Sequence, residues 1–173
     1  MNVKILKVST DKLVGATIRK GERIELPSIQ TGWRFNFGSR LMKLSYATAY
    51  VLVDQDTPDL IEGTLIFQMQ DKTIPYMAYV EVAPHNRTDL KKYDYVAGCL
   101  IAFACKQSFI RGKGDYQGWL TFDVCEENEK DQIRLMTHYC TKYKAQRFAD
   151  TTTMIIDPEN GRNLIEEYLE RKA

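Results

Sequence analysis

The sequence predicts an α+β protein, a mixed α/β chain with a mostly antiparallel central sheet, one parallel strand pair and flanking helices. Three observations carry this. Strand-like segments at 46–53, 60–69 and 75–82 follow one another through short polar connections of the length that joins antiparallel strands. After Pro84 the period changes: Val96, Leu100, Ile101, Ala104, Cys105 and Phe109 recur at helical spacing. A strand-like stretch returns at 118–124, and strand, helix, strand in that order makes a crossover, so 75–82 and 118–124 should be parallel neighbours.

In chain order, Met1 to Val8 alternates apolar with polar residues, lacks a continuous apolar centre and reads as a strand near 3–9 rather than a secretory signal. A second short strand is expected at Arg23 to Leu26, ending at Pro27. The aromatic segment Trp33-Arg34-Phe35-Asn36-Phe37 then reads as packed chain, able to cover the sheet or to line an acceptor pocket. Asp54-Gln55-Asp56-Thr57-Pro58 and Gln70-Asp71-Lys72-Thr73 bound the three central strands. The helix from Val96 is apolar nearly all round, which predicts burial against the sheet, and it should end near Arg111-Gly112-Lys113-Gly114. A second helix over 129–143 carries Ile133, Met136, Tyr139, Cys140 and Tyr143 as its stripe, with Asn128 placed to cap it. A strand at 152–156 follows, and Pro158 opens a C-terminal amphipathic helix with Leu164, Ile165, Tyr168 and Leu169.

Composition removes several functions. The 173 residues, 44% hydrophobic, fit one domain. With 24 basic against 23 acidic residues the net charge is +1, so the basic excess or block expected of a nucleic-acid binder is missing. The longest apolar run, Val96 to Cys105, is about ten residues, against the roughly 18 to 20 that span a bilayer. Four cysteines show no paired metal spacing and suit reduced thiols in a cytoplasmic protein.

Within this order, Val80-Glu81-Val82-Ala83-Pro84-His85-Asn86-Arg87 resembles the end of the central strand and the start of the cofactor loop of the GNAT superfamily of N-acetyltransferases. Lys92-Tyr93-Asp94-Tyr95-Val96-Ala97-Gly98-Cys99-Leu100 stands where that family's pyrophosphate loop and first helical turn would lie. Leu135 to Ala145 resembles its late helix. The likeness covers roughly 46–156, with 1–45 a divergent N-terminal part of a single domain spanning 1–173. It implies the GNAT fold, acetyl-CoA as cosubstrate and transfer of an acetyl group to an amine of a small molecule or peptide, without nucleic acid or membrane; a homodimer is compatible with it.

The physical reason such a site binds an acyl-CoA is that a helix N-terminus converges free N–H donors on a pyrophosphate, and an exposed strand edge pairs with the pantetheine arm. The resemblance implies that Val82, Lys92, Tyr95, Val96, Ala97 and Gly98 contact the cosubstrate. The sequence departs from the family at Tyr95, where the first loop glycine would stand, and at Lys92, where arginine or glutamine would. Tyrosine should narrow the room for a pyrophosphate, which Lys91 and Lys92 could offset by direct charge.

Glu81, which interrupts an apolar strand just before the loop, is the candidate base, and Tyr139 on the late helix is the candidate acid for the departing thiolate. Each has a bland reading beside it: Glu81 as a solvent-facing or lysine-paired residue, Tyr139 as a core tyrosine. The alternative function is a non-catalytic module of the same fold, with weak or no coenzyme A binding. A Cys-His pair drawn from Cys99, Cys105, His85 and His138 has little support, since both early cysteines lie on the apolar helix.

Overall fold

A computed structural model describes residues 1–172. Its strands are β1 (Asn2–Lys7), β2 (Lys12–Lys20), β3 (Ala47–Asp54), β4 (Thr57–Gln70), β5 (Ile74–Val82), β6 (Tyr93–Asp94), β7 (Leu120–Asp123), β8 (Gln146–Arg147) and β9 (Thr153–Ile156). They form one sheet in the order β6-β1-β2-β3-β4-β5-β7-β9-β8. Every neighbouring pair is antiparallel except β5 and β7, the parallel pair that the crossover predicts. The helices are α1 (Phe37–Met42), α2 (Val96–Arg111), α3 (Glu129–Tyr143) and α4 (Pro158–Leu164), the last running into a π-helical turn over Ile165–Leu169.

β2, α1, β6 and β8 have no counterpart in the sequence-based expectation, and one expected strand is absent. Lys12–Lys20 is a full strand in a hairpin with β1, although adjacent Leu13 and Val14 followed by Gly15 hide its alternation. Arg23–Glu25 is a 3-10 turn, not a strand, because the Glu25 carboxylate accepts from the Glu22 N–H at 3.2 Å and meets Arg19 at 2.8 Å, folding the chain back on itself.

The sheet buries a different core on each face. On one, α2 lies with Leu100, Ile101, Ala102 and Ala104 fully buried, joined by Leu65 and Phe67 of β4, Leu120 of β7 and Ile156 of β9. Burial all round the helix follows from α4 and the π turn covering its outer side. Close approach is enforced at two glycines. A Cβ on Gly63 would meet Leu100 and Val96 at 2.7 Å, and one on Gly98 would meet the Tyr168 ring at 2.1 Å. On the other face the 28–42 segment packs Trp33 and Phe37 on Val51, Val53 and Ile66, with Phe35 and Phe37 edge-on to Tyr79. The aromatic segment is therefore packed chain.

α3 presents Met136 and Tyr143 to the core and leaves Ile133 and Cys140 exposed. Asn128 caps it, its Oδ1 accepting from the Asp131 N–H at 2.9 Å; Asp157 caps α4 in the same way through the Asn160 N–H.

Candidate active site

β5 and β7 are joined at one bridged pair, Tyr76 with Thr121, supported by the Thr121 hydroxyl donating to the Pro75 carbonyl at 2.8 Å. β7 then pairs with β9, and β5 with β4, so beyond Tyr76 the two parallel strands part. A bulge in β5 helps: Tyr79 opposes Ile66 while Met77 opposes Phe67, leaving Ala78 as the extra residue that bends the strand. Between the strands lies a cleft of about 350 Å³ lined by Tyr76 to Val80, Phe122 to Glu126, Leu135 and Tyr139, and roofed by Arg34 and Phe35. The backbone groups of β5 that face this gap have no ladder partner, which is the edge an extended ligand arm needs.

At the far end of β5 a second cavity of about 150 Å³ sits at the start of α2. Val82, Tyr95, Val96, Ala97 and Gly98 all line it, together with Asn86, Lys91, Asp94, His138, Lys142 and Tyr143. The N–H groups of Val96, Ala97 and Gly98 open α2 and have no intrahelical partner. Tyr95 caps the helix at φ 71°, the left-handed conformation glycine adopts freely and a tyrosine adopts at a cost of about 1–2 kcal/mol. Its backbone thus follows the turn that a loop glycine would make. Its ring packs edge-on to Tyr168, with the Arg171 guanidinium 3.8 Å from its centre. Gly98 serves the contact with Tyr168, so its lack of a side chain has a packing cause.

The charges around this pocket are mixed. Lys91 pairs with Asp94 at 2.9 Å, and Asp94 also accepts from the Tyr95 N–H at 2.7 Å. Burial alone would raise the Asp94 carboxyl, but Lys91 and the Tyr95 N–H bring it below its ordinary value, so a negative charge stands at the turn. Lys92 does not line the pocket; its ammonium lies 4.9 Å over the Tyr93 ring. Lys142, which the sequence reading did not single out, does.

Of the solved structures that match, a variant of the toxin AtaT bound to the C-terminus of its antitoxin AtaR shares 13% identity and a TM-score of 0.54, over 86% of this chain and 97% of that one. The KacTA–DNA complex shares 11% and 0.56, over 88% and 99%. A variant of spermidine N-acetyltransferase SpeG from Vibrio cholerae shares 14% and 0.52, over 86% and 96%. The chain has the GNAT fold. Neither a protein-family model nor a curated protein matches the sequence.

Within the GNAT fold the two candidate chemical residues take up different positions. Tyr139 faces the cleft, its ring 4.8 Å from that of Phe122, and burial pushes its hydroxyl up to about 12. Glu81 does not line the cleft, although Tyr79 and Val80 beside it do. Its Oε1 accepts from the Arg34 N–H at 2.6 Å and pairs with the Arg87 guanidinium, while its Oε2 is buried with no protein partner. Burial raises the Glu81 carboxyl, and the Arg34 N–H and Arg87 only partly counter this.

Two acidic cleft residues, Asp123 and Glu126, are not singled out by the sequence. Asp123 accepts from the Tyr76 hydroxyl at 2.7 Å and from Thr152 and Thr153 at 2.8 and 2.9 Å. Glu126 forms a two-point ion pair with Arg34 at 2.6 and 2.9 Å. The signal available was the acidic run after β7, but nothing in sequence links it to Arg34 or Tyr76, which lie 92 and 47 residues away. Cys99 and Cys105 are buried, and burial pushes both thiols up to about 12, so neither supplies a thiolate. Among the described residues no helix is long and apolar enough to cross a membrane.

Proposed function

We propose that this chain transfers an acetyl group from acetyl-CoA to an amine, and the parting of β5 from β7 after a single bridge carries the reading. The residues present fit an acyl-CoA along one line: free N–H donors at Val96, Ala97 and Gly98 for a pyrophosphate, Val82 and the open edge of β5 for the pantetheine arm, and the larger cleft for the reacting end. The smaller cavity is below the roughly 300 Å³ of a whole-ligand pocket and suits one charged group. Lys91 and Lys142 supply positive charge there, with Lys92 one residue away. When bound, acetyl-CoA supplies the activated acetyl thioester.

Tyr139 keeps its proton at neutral pH, which equips it to protonate the departing thiolate sulfur. Of the three carboxylates near the cleft, Asp123 is lowered by its donors and Glu126 is held by Arg34, whereas Glu81 is raised and keeps one oxygen free of protein partners. Glu81 is therefore the base, and because it does not line the cleft it takes the amine proton over a bridging water. The Arg34 and Glu126 side chains line the cleft above it, so the acceptor must displace or share that ion pair. The acceptor is a small-molecule or peptide amine, and the balanced charge supports recognition inside the cleft rather than along a polyanion.

A second reading, a binding module without turnover, is favoured by Asp94, whose carboxylate stands at the turn a pyrophosphate would approach. AtaT with its antitoxin peptide and KacTA with DNA are neighbours that work with macromolecular partners. One titration separates the readings. Acetyl-CoA at 100 times its Kd should stabilise the native state by about 2.7 kcal/mol, and thiol release with a panel of amines should then report turnover. No shift of the unfolding midpoint at millimolar acetyl-CoA overturns the enzyme reading; a shift without thiol release leaves the module.

A further inference from the structure

Next to Glu81 lie two buried polar residues, Glu62 and Thr64, for which acetyl transfer as described has no use. Glu62 and Thr64 of β4 and Glu81 of β5 share one face of the sheet: Thr64 is the cross-strand partner of Glu81, and Glu62 is their diagonal neighbour, within reach of a long side chain. Their exposures are 0%, 0% and 9%. Each has one oxygen with no protein partner, Glu62 Oε1, Thr64 Oγ1 and Glu81 Oε2. Leaving such a group unsatisfied costs about 1–3 kcal/mol, more when it is charged.

The remaining oxygens of this set are tightly held. Glu62 Oε2 meets the Asn86 Nδ2 donor at 2.8 Å and His85 Nε2 at 2.5 Å. Asn86 is fixed in turn, its Oδ1 accepting from the Tyr93 N–H at 2.9 Å. The His85 side chain is 38% exposed, so the set reaches solvent at that end and Glu81 at the other. A carboxylate, a hydroxyl that both donates and accepts, a carboxylate and an imidazole in that order are the components of a proton path.

We propose that Glu62 and His85 are positioning residues of a proton exit, in which Thr64 links Glu81 to Glu62 and His85 opens the path to bulk water. The inference rests on Glu81 acting as the base. None of the three oxygens bonds another directly, so the proton taken from the acceptor amine leaves Glu81 Oε2 for Thr64 Oγ1 over a bridging water, and a second water carries the Thr64 proton on to Glu62 Oε1. As this proton arrives, the His85 imidazole, bonded to Glu62 Oε2, releases one to water, and exchange with solvent resets the pair. One proton enters, one leaves, and water is the only co-reactant.

The test follows turnover of the full chain with acetyl-CoA and an accepting amine at fixed pH and ionic strength while imidazole is raised. Wild-type rates should not respond to it. His85→Ala should lose about tenfold or more in kcat at low buffer, within the range of general acid–base effects, and recover as imidazole replaces the missing ring. The acetyl-CoA thermal shift should be unchanged. An unaltered kcat in His85→Ala, or a loss that imidazole does not restore, overturns the exit while acetyl transfer stands.

If wild-type protein releases no thiol with any amine, the acetyl-transfer reading fails and the path is still decided by ring NMR. The chain has two histidines, and His138 is the internal control. Around His85 the charged groups are Glu62 on its ring and, on the same face, Glu81 with its Arg87 partner. Glu81→Gln should move the His85 midpoint by ~0.3 pH units or more, and Thr64→Val should cut that displacement by about half or more. Equal displacements with and without the Thr64 hydroxyl overturn the link.

Discussion

The two faces of the sheet bury opposite kinds of side chain. Under α2 lie Leu65, Phe67, Leu100, Ile101 and Leu120, and the polar groups of that cluster include the hydroxyls of Tyr93, Tyr143 and Tyr168 and the inert thiols of Cys99 and Cys105. Under the 28–42 segment the apolar set is smaller, and Glu62, Thr64 and Glu81 are buried beside Trp33, Ile66 and Ala83. A face whose only task was stability would fill those three positions with apolar residues, since a buried charge stabilises little and costs much to desolvate. The α2 face is built for stability, while the other face carries buried carboxylates that stability alone does not require.

The contrast breaks most visibly under truncation of the α2 face. Leu100→Ala removes a fully buried side chain packed over Gly63 and should cost about 2–5 kcal/mol in urea unfolding. Glu62→Leu should cost less in the same measurement, about 1–3 kcal/mol, because it removes a buried acid with one unpaired oxygen but leaves the buried Asn86 donor without its partner. A loss in Glu62→Leu as large as that in Leu100→Ala would show that the polar face is structural as well.

Tyr139→Phe sharpens the comparison from the side of activity. It removes a hydroxyl that hydrogen-bonds to no group among the described residues and keeps the ring against Phe122. Stability should change by less than about 1 kcal/mol, acetyl-CoA should still raise the unfolding midpoint, and kcat should fall by about 100-fold or more. A fall in acetyl-CoA affinity with unchanged kcat would make Tyr139 part of the binding wall alone.

These contrasts also mark what the sequence makes legible. Periodicity reads α2 correctly because helical spacing over Val96 to Phe109 is a local property, and the crossover it implies yields the β5–β7 pair. Asn128 is readable for the same reason, since a cap acts within three residues. β2 is missed because Gly15, set against Gln55, interrupts its alternation. Of the polar face only Glu81 is legible, as a charge interrupting an apolar strand: Glu62 meets His85 and Asn86, and Arg34 meets Glu126, only after the sheet forms. Those contacts depend on register, and register is set by the whole sheet.

The pH dependence of stability separates the buried face from the cleft rim. Burial, outweighing the Arg34 N–H and Arg87, holds the Glu81 carboxyl above its ordinary value, so the native state keeps its proton longer than the unfolded chain does. Stability contributed by this group is therefore present below the ordinary carboxylate range and falls as pH rises through the raised value. Asp123 is the opposite case. Its burial would raise it, but the hydroxyls of Tyr76, Thr152 and Thr153 together lower it, so its contribution is present above the ordinary range and is lost as pH falls through the depressed value. Glu81→Gln should flatten the first slope and Asp123→Asn the second, in unfolding midpoints followed from pH 3 to pH 8 (a range of about 5 units). Slopes that both variants leave untouched would remove the distinction.

The smallest effect on stability is expected at Arg34, where the two regions meet. Its backbone N–H is bound to Glu81 on the buried face, while its side chain crosses the cleft to Glu126. The guanidinium is half exposed, so the ion pair is worth only about 0.2–1 kcal/mol and weakens as salt rises. Arg34→Ala keeps the backbone donor and should leave the unfolding midpoint nearly unchanged. It should instead free the Glu126 carboxylate at the mouth of the cleft and lower KM for a cationic amine, by less at high salt, with kcat nearly constant because no group in the proposed proton steps is removed. A drop in kcat without change in KM would mean that the side chain belongs to the reacting centre, and that the boundary between the two regions lies deeper than the Arg34 backbone.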